Sequence, residues 1–176
     1  MIKKTWEING NLYGEDGLEN IQDFEEVIIK VKSFFDRIFG KKVMNKYDLY
    51  IDNATKDSGY SPIITVVLRK YIIIKLKISG DASKGKIAYQ FAHELTHFVF
   101  YSYFGLNKPF ANCREETICS AASLIIIRNL FPDEFNTYNV HVKSLDEECY
   151  RRGADYAESI DYSLEKLKDE IMEFIF

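Results

Sequence analysis

Apolar residues recur along this chain with two periods, and the change of period divides it. Over residues 20–39, Ile21, Phe24, Ile28, Val31, Phe35 and Ile38 return at steps of three and four, which predicts an amphipathic helix ended by Gly40. From residue 47 the period is two. Tyr47, Leu49 and Ile51 alternate with Asp48, Tyr50 and Asp52, the pattern of a half-buried strand. Residues 53–62, NATKDSGYSP, read as a loop. Two β-branched runs follow, at 63–69 and 71–78, and both predict strands. In the second, Ile72, Ile74, Leu76 and Ile78 share a face opposite Lys75 and Lys77. The join at Arg69-Lys70 is read as a candidate tight hairpin, although it lacks an Asn-Gly type turn.

After SGDASKG the helical period returns. A helix over about 84–103, capped by Asp81 or Ser83, carries Ala88, Ala92, Leu95 and Val99 as a stripe widened by Phe91 and Phe98. Residues 113–131 form a second, mostly buried helix closed by Pro132. A loop with His141 follows, and then helices over about 145–158 and 161–174. The last carries Leu164, Leu167, Ile171 and Phe174 on one face. Helix, three strands and then helices predict an α+β fold, a small antiparallel sheet packed on a helical body. Length and the absence of a linker predict a single domain over 1–176.

Composition narrows the function. Hydrophobic residues at 47% and aromatics at 15% supply a real core. The net charge of −4 comes without a basic stripe, which argues against nucleic acid or an anionic membrane as partner. The N-terminal segment has no apolar run of the signal-peptide kind, and no apolar stretch is long enough to span a bilayer, so a cytoplasmic location is expected. Cys113, Cys119 and Cys149 match no zinc ribbon or disulfide framework, and reduced, partly buried thiols are expected.

The candidate chemistry lies in AHELTHF, residues 92–98. Two of the three histidines, His93 and His97, stand four apart with Glu94 between them. Residues at that spacing share a helix face, so both imidazoles can address one zinc ion. Glu94, rotated by about a third of a turn, can act as general base on a water without ligating the metal. Ala92, Leu95, Phe98, Val99 and Phe100 bracket the motif, so its polar side chains would be buried and need partners. A catalytic zinc needs a third protein ligand and an open position. His141, Glu115 and Glu116 are the candidates. Glu116 is preferred, because Cys119, Ser120 and Ser123 follow it at three, four and seven residues and allow close helix approach. Glu115 is followed by the more apolar Ile118, Cys119 and Ala122 and suits the core. Oxyanion donors remain open among His141, Tyr138, Tyr150, Arg151 and Arg152.

The run FAHELTHFVF followed by EETICSAASLIIIRNLFP resembles the minimal gluzincins of the ImmA/IrrE type, over roughly residues 62–132. The resemblance implies a zincin-like fold and zinc held by His93, His97 and a downstream glutamate, aligned at Glu116, with Glu94 as base. It also implies hydrolysis of a protein or peptide substrate in the cytosol, often a repressor-type regulator. The small-residue segment departs from that family, with Cys119, Ser120, Ala121, Ala122 and Ser123 where Asn and Phe are usual. The C-terminal forty-odd residues carry no resemblance. Two other classes compete: a metal-binding regulatory module with little or no proteolysis, and an interaction domain without metal.

Overall fold

The computed structural model describes residues 6–8, 21–53, 61–77 and 82–174. Strand β1 (Trp6–Ile8) is followed by helix α1 (Ile21–Phe39), the one-turn helix α2 (Lys41–Met44), and strands β2 (Asp48–Asn53), β3 (Ile63–Val67) and β4 (Tyr71–Leu76). Helices α3 (Lys84–Phe104), α4 (Cys113–Leu130), α5 (Phe135–Lys143), α6 (Glu148–Ser159) and α7 (Leu164–Met172) complete the α+β architecture. Phe24, Ile28, Val31 and Phe35 of α1 are fully buried, as their spacing predicts. Gly40 takes a positive φ of 83°, a conformation open to glycine, and the chain turns there into α2.

The sheet is mixed, not antiparallel. Its order is β1-β2-β4-β3; β1–β2 and β2–β4 are parallel, and only β3–β4 is antiparallel. The chain leaves β2, builds the outer strand β3 first, and returns as β4 between them. Because β3 runs opposite to β2, the hairpin return as β4 runs parallel to β2. Periodicity reports which face is buried, and Leu49, Ile51, Ile72, Ile74 and Leu76 are buried as predicted. It carries no information on the direction of the neighbour. A hairpin does join β3 and β4. Leu68 and Arg69 take positive φ of 53° and 52°, and Lys70 N donates to Val67 O at 3.1 Å. Two non-glycine residues thus hold a left-handed turn that their identities do not announce.

Ser83 caps α3, its hydroxyl accepting from Lys86 N at 3.1 Å; Asp81 and Ile78 lie outside the described residues, as do residues 54–60 of the expected loop. Helix α3 packs against α1, β3 and β4 and also against α4, so nearly its whole circumference is covered. Between α4 and α6 the approach is closest at Gly153, where an added Cβ would stand 2.4 Å from Ser120 Cβ. The segment with His141 is helix α5 rather than a loop. Its inward positions Phe135, Tyr138 and Val142 keep helical spacing, but only Val142 is fully buried, so the apolar signal is weak. Cys113 and Cys149 are not reduced thiols. They form a disulfide that joins the first turns of α4 and α6 across 36 residues. Cys119 is free and buried. No described helix is long and apolar enough to cross a membrane.

Candidate metal centre

Because α3 is covered on several sides, its polar turn is enclosed. Glu94 and His97 are 5% and 6% exposed, and the His93 side chain 12%. The two imidazole rings lie 5.1 Å apart between centroids. The second half of the site comes from the start of α4. Asn112 caps that helix by accepting from Glu115 N at 3.0 Å, which places Glu115 and Glu116 in the first turn, where the helix dipole favours carboxylates.

The adjacent glutamates do different things. Glu115 is fully buried, with Oε1 2.7 Å from His97 Nδ1 and both oxygens 2.8 Å from Lys108 Nζ. A buried carboxylate is costly unless paired, and Lys108 supplies the pairing charge. Lys108 also lies 4.7 Å from the centre of the Tyr101 ring. Glu116 turns to the opposite nitrogens: its Oε2 lies 3.2 Å from His93 Nε2 and 3.5 Å from His97 Nε2. Cys119, one turn further along α4, places Sγ 3.4 Å from His97 Nδ1. His93, His97 and Cys119 have ligand atoms within 4.8 Å of one another, a group able to hold a metal ion.

Electrostatics follow from this enclosure. Burial raises the Glu94 carboxyl above the usual range, against the opposing pull of His93 and His97. The Cys119 thiol is pushed up to about 12 by burial, so it is neutral at physiological pH. Burial alone would lower His97, yet its pKa stands well above the ordinary value through contacts with Cys119, Glu115 and Glu116. With the thiol neutral, the two carboxylates are the effective cause. Burial acts on Glu116 in the opposite sense, but hydrogen bonds from His93 and His97 hold it below the carboxylate range.

A cleft of about 700 Å³ opens onto His93, Glu94, His97 and Glu116. One wall is β3, the last strand in the sheet order. The loop between α3 and α4 also lines it, with Leu106, Pro109 and Phe110. Of the five candidate oxyanion donors only Tyr150 lines the cleft. Its ring stacks on His93 at 5.6 Å and 18°, and burial, followed by the Glu116 charge, pushes its phenol up to about 12. His141 lies exposed on α5 with its ring edge 6.3 Å from Tyr89, and Tyr138 stacks on Tyr89 at 5.0 Å. Arg151 donates to Leu145 O at 3.0 Å, and Arg152 pairs with Glu148. Lys108 and Cys119 are the members that sequence reasoning missed. Cys119 had a usable signal, one turn from Glu116 on the same face. Lys108 had none, since it reaches the site from a loop.

Compared with known proteins, the chain matches no family model, no curated protein and no solved structure.

Proposed function

We propose that this chain is a zinc-dependent peptidase of the gluzincin type, with His93, His97 and Glu116 as ligands and Glu94 as general base. The observation that carries the reading is the division of labour around His97. Glu115 engages Nδ1 at 2.7 Å, which leaves Nε2 facing Glu116 Oε2, together with His93 Nε2. A carboxylate on the far nitrogen is the usual support of a metal-bound histidine. Donors around a tetrahedral zinc at about 2.0–2.1 Å stand about 3.3 Å apart, and the two contacts of Glu116 Oε2, at 3.2 and 3.5 Å, bracket that spacing. The hard carboxylate and two imidazoles suit zinc and leave one position for water.

Zinc in this site would supply a Lewis acid and make a water acidic near neutral pH. The remaining work falls to the chain. Glu94, with its raised proton affinity, accepts a proton on one carboxyl oxygen and returns it to the leaving amine. Tyr150, a protonated phenol at the cleft wall, donates a hydrogen bond to the substrate carbonyl as charge develops there. Strand β3, the last strand of the sheet among the described residues, would offer its outer edge to an extended peptide backbone. Ile63 and Phe110, both in the lining and 44% and 98% exposed, suit a bulky apolar side chain of that peptide.

The resemblance to the ImmA/IrrE type supports a narrow substrate, a protein regulator in the cytoplasm. The same proposal places the chain there, with the Cys113–Cys149 bond formed only under oxidising conditions. A second reading rests on Cys119. As a fourth protein ligand it would close the site and leave a regulatory metal module. X-ray absorption of the zinc-loaded protein separates the two. Nitrogen and oxygen neighbours alone support the peptidase, and a sulfur at about 2.3 Å supports the closed module. Hydrolysis of a peptide library by wild type and not by Glu94→Gln is the expected result. A zinc-free protein, or equal activity in both, overturns it.

A further inference from the structure

The Cys113–Cys149 bond sits where the two halves of the site meet. Cys113 opens α4, three residues before Glu116, and Cys149 immediately precedes Tyr150 near the start of α6. The Cα atoms are 4.9 Å apart. Helix α6 has no side-chain cap at its start: Glu147 occupies the cap position without a side-chain hydrogen bond. An uncapped first turn frays readily. The disulfide is the covalent tie between this turn and α4; the others are hydrogen bonds, one from Thr117 Oγ1 to Cys149 O at 2.8 Å, whose proton Cys113 O shares at 2.9 Å, and one between the Tyr150 phenol and Glu116. Beyond it, the body of α6 is held independently by the close approach of Gly153 to Ser120.

We propose that the Cys113–Cys149 disulfide is a positioning element of the site, which holds Tyr150 against His93 and releases it on reduction. The proposal rests on the peptidase reading only for the consequence at the substrate. The placement of Tyr150 is independent of it. Cys113 is exposed and Cys149 partly so, which makes the bond accessible to a dithiol. In the exchange a thiolate of the dithiol attacks one sulfur, the protein S–S bond breaks, and a mixed disulfide forms. The second thiol then resolves it. Two electrons and two protons pass to the protein as two thiols, and the dithiol leaves as its own disulfide. The first turn of α6 then loses its covalent tie, while the α4–α6 packing around Gly153 persists. The site keeps His93, His97 and Glu116 and loses the fixed position of the phenol.

Three histidines in the chain make proton NMR of the imidazole rings a direct test on metal-free protein. With the disulfide formed, Tyr150 stacked over His93 shifts the ring protons of His93 upfield. Reduction with a phosphine, and separately Cys113→Ser with Cys149→Ser, should move them to the position seen in Tyr150→Leu. Reoxidation of the wild type should restore them. Hydrogen exchange at residues 147–151 should rise at least tenfold on reduction, with residues 153–158 little changed. In the zinc-loaded protein, zinc affinity should stay within about twofold while kcat falls about 10²–10³-fold, the loss of one oxyanion donor. Unchanged His93 resonances between the oxidised and reduced wild type overturn the proposal, even if the double variant does not fold. Failure to bind zinc in either state overturns the peptidase reading and leaves the NMR result to decide the positioning role.

Discussion

Glu115 Oε1 lies 2.7 Å from His97 Nδ1, on the side of the imidazole away from Glu116. Adjacent residues on a helix point about 100° apart, and here that angle lets one turn of α4 address both nitrogens of one histidine. The buried carboxylate orients the ring and is itself neutralised by Lys108.

This relationship changes what substitution should do. Sequence reasoning expects Glu116→Gln to weaken zinc binding severely and Glu115→Gln to leave it near wild type. Under the proposed function the first expectation stands as a prediction, and the contact of Glu115 with His97 changes the second. Glu115→Gln should retain one zinc per chain but bind it about 10–100-fold more weakly, the usual cost of removing an outer partner of a metal-bound histidine. A chelator-competition titration of both variants measures this. Wild-type affinity in Glu115→Gln would remove the orienting role.

Glu94→Gln should keep zinc and lose turnover by about 10²–10⁴-fold, because the amide cannot accept a proton. Burial raises the Glu94 carboxyl in the metal-free protein; a bound zinc would pull the other way, and with burial the larger effect the acid limb of kcat/KM should lie above the ordinary carboxylate range. The sign is fixed: activity falls as pH drops through that raised value and the base becomes protonated. A pH–rate profile with its acid limb at the free-carboxylate value would contradict this.

Zinc uptake should release protons at neutral pH. His97 in the metal-free protein is held well above its ordinary value, and a ligand must be neutral. Affinity therefore rises with pH until His97 deprotonates on its own. Calorimetry in buffers of different ionisation enthalpy counts the protons. The linked stability runs the other way. A raised histidine pKa stabilises the metal-free fold fully below the unfolded value, and that contribution disappears as pH rises through the folded one. The metal-free protein should thus lose stability toward alkaline pH relative to the zinc-loaded form, seen as a widening gap in Tm.

Gly153→Ala should destabilise the fold by about 1–3 kcal/mol, the typical cost of overpacking. Its Cβ would stand 2.4 Å from Ser120 Cβ, and α6 would have to move off α4. Chemical denaturation reads the loss. The companion Ser120→Gly in the Gly153→Ala background should recover part of it.

Much of this was legible in order along the chain. Periodicity placed α1, the inward faces of β2 and β4, and α3, α4, α6 and α7, since burial of an apolar face is a local consequence of residue spacing. The same logic placed His93 and His97 on one face of one helix, because a four-residue step brings them together whatever surrounds the helix. What tertiary structure decided were relations between segments. The direction of β4 beside β2, the bond between Cys113 and Cys149, the reach of Lys108 to Glu115, and the stacking of Tyr150 on His93 all join residues distant in sequence. Glu115 is the sharpest case. Its i+3 and i+4 neighbours marked it as a core position, and it is fully buried. Only the packing of α4 on α3 put a histidine nitrogen and a lysine there to satisfy its charge. Spacing along a helix determines which way a side chain faces, and the partner it meets depends on how the helices pack.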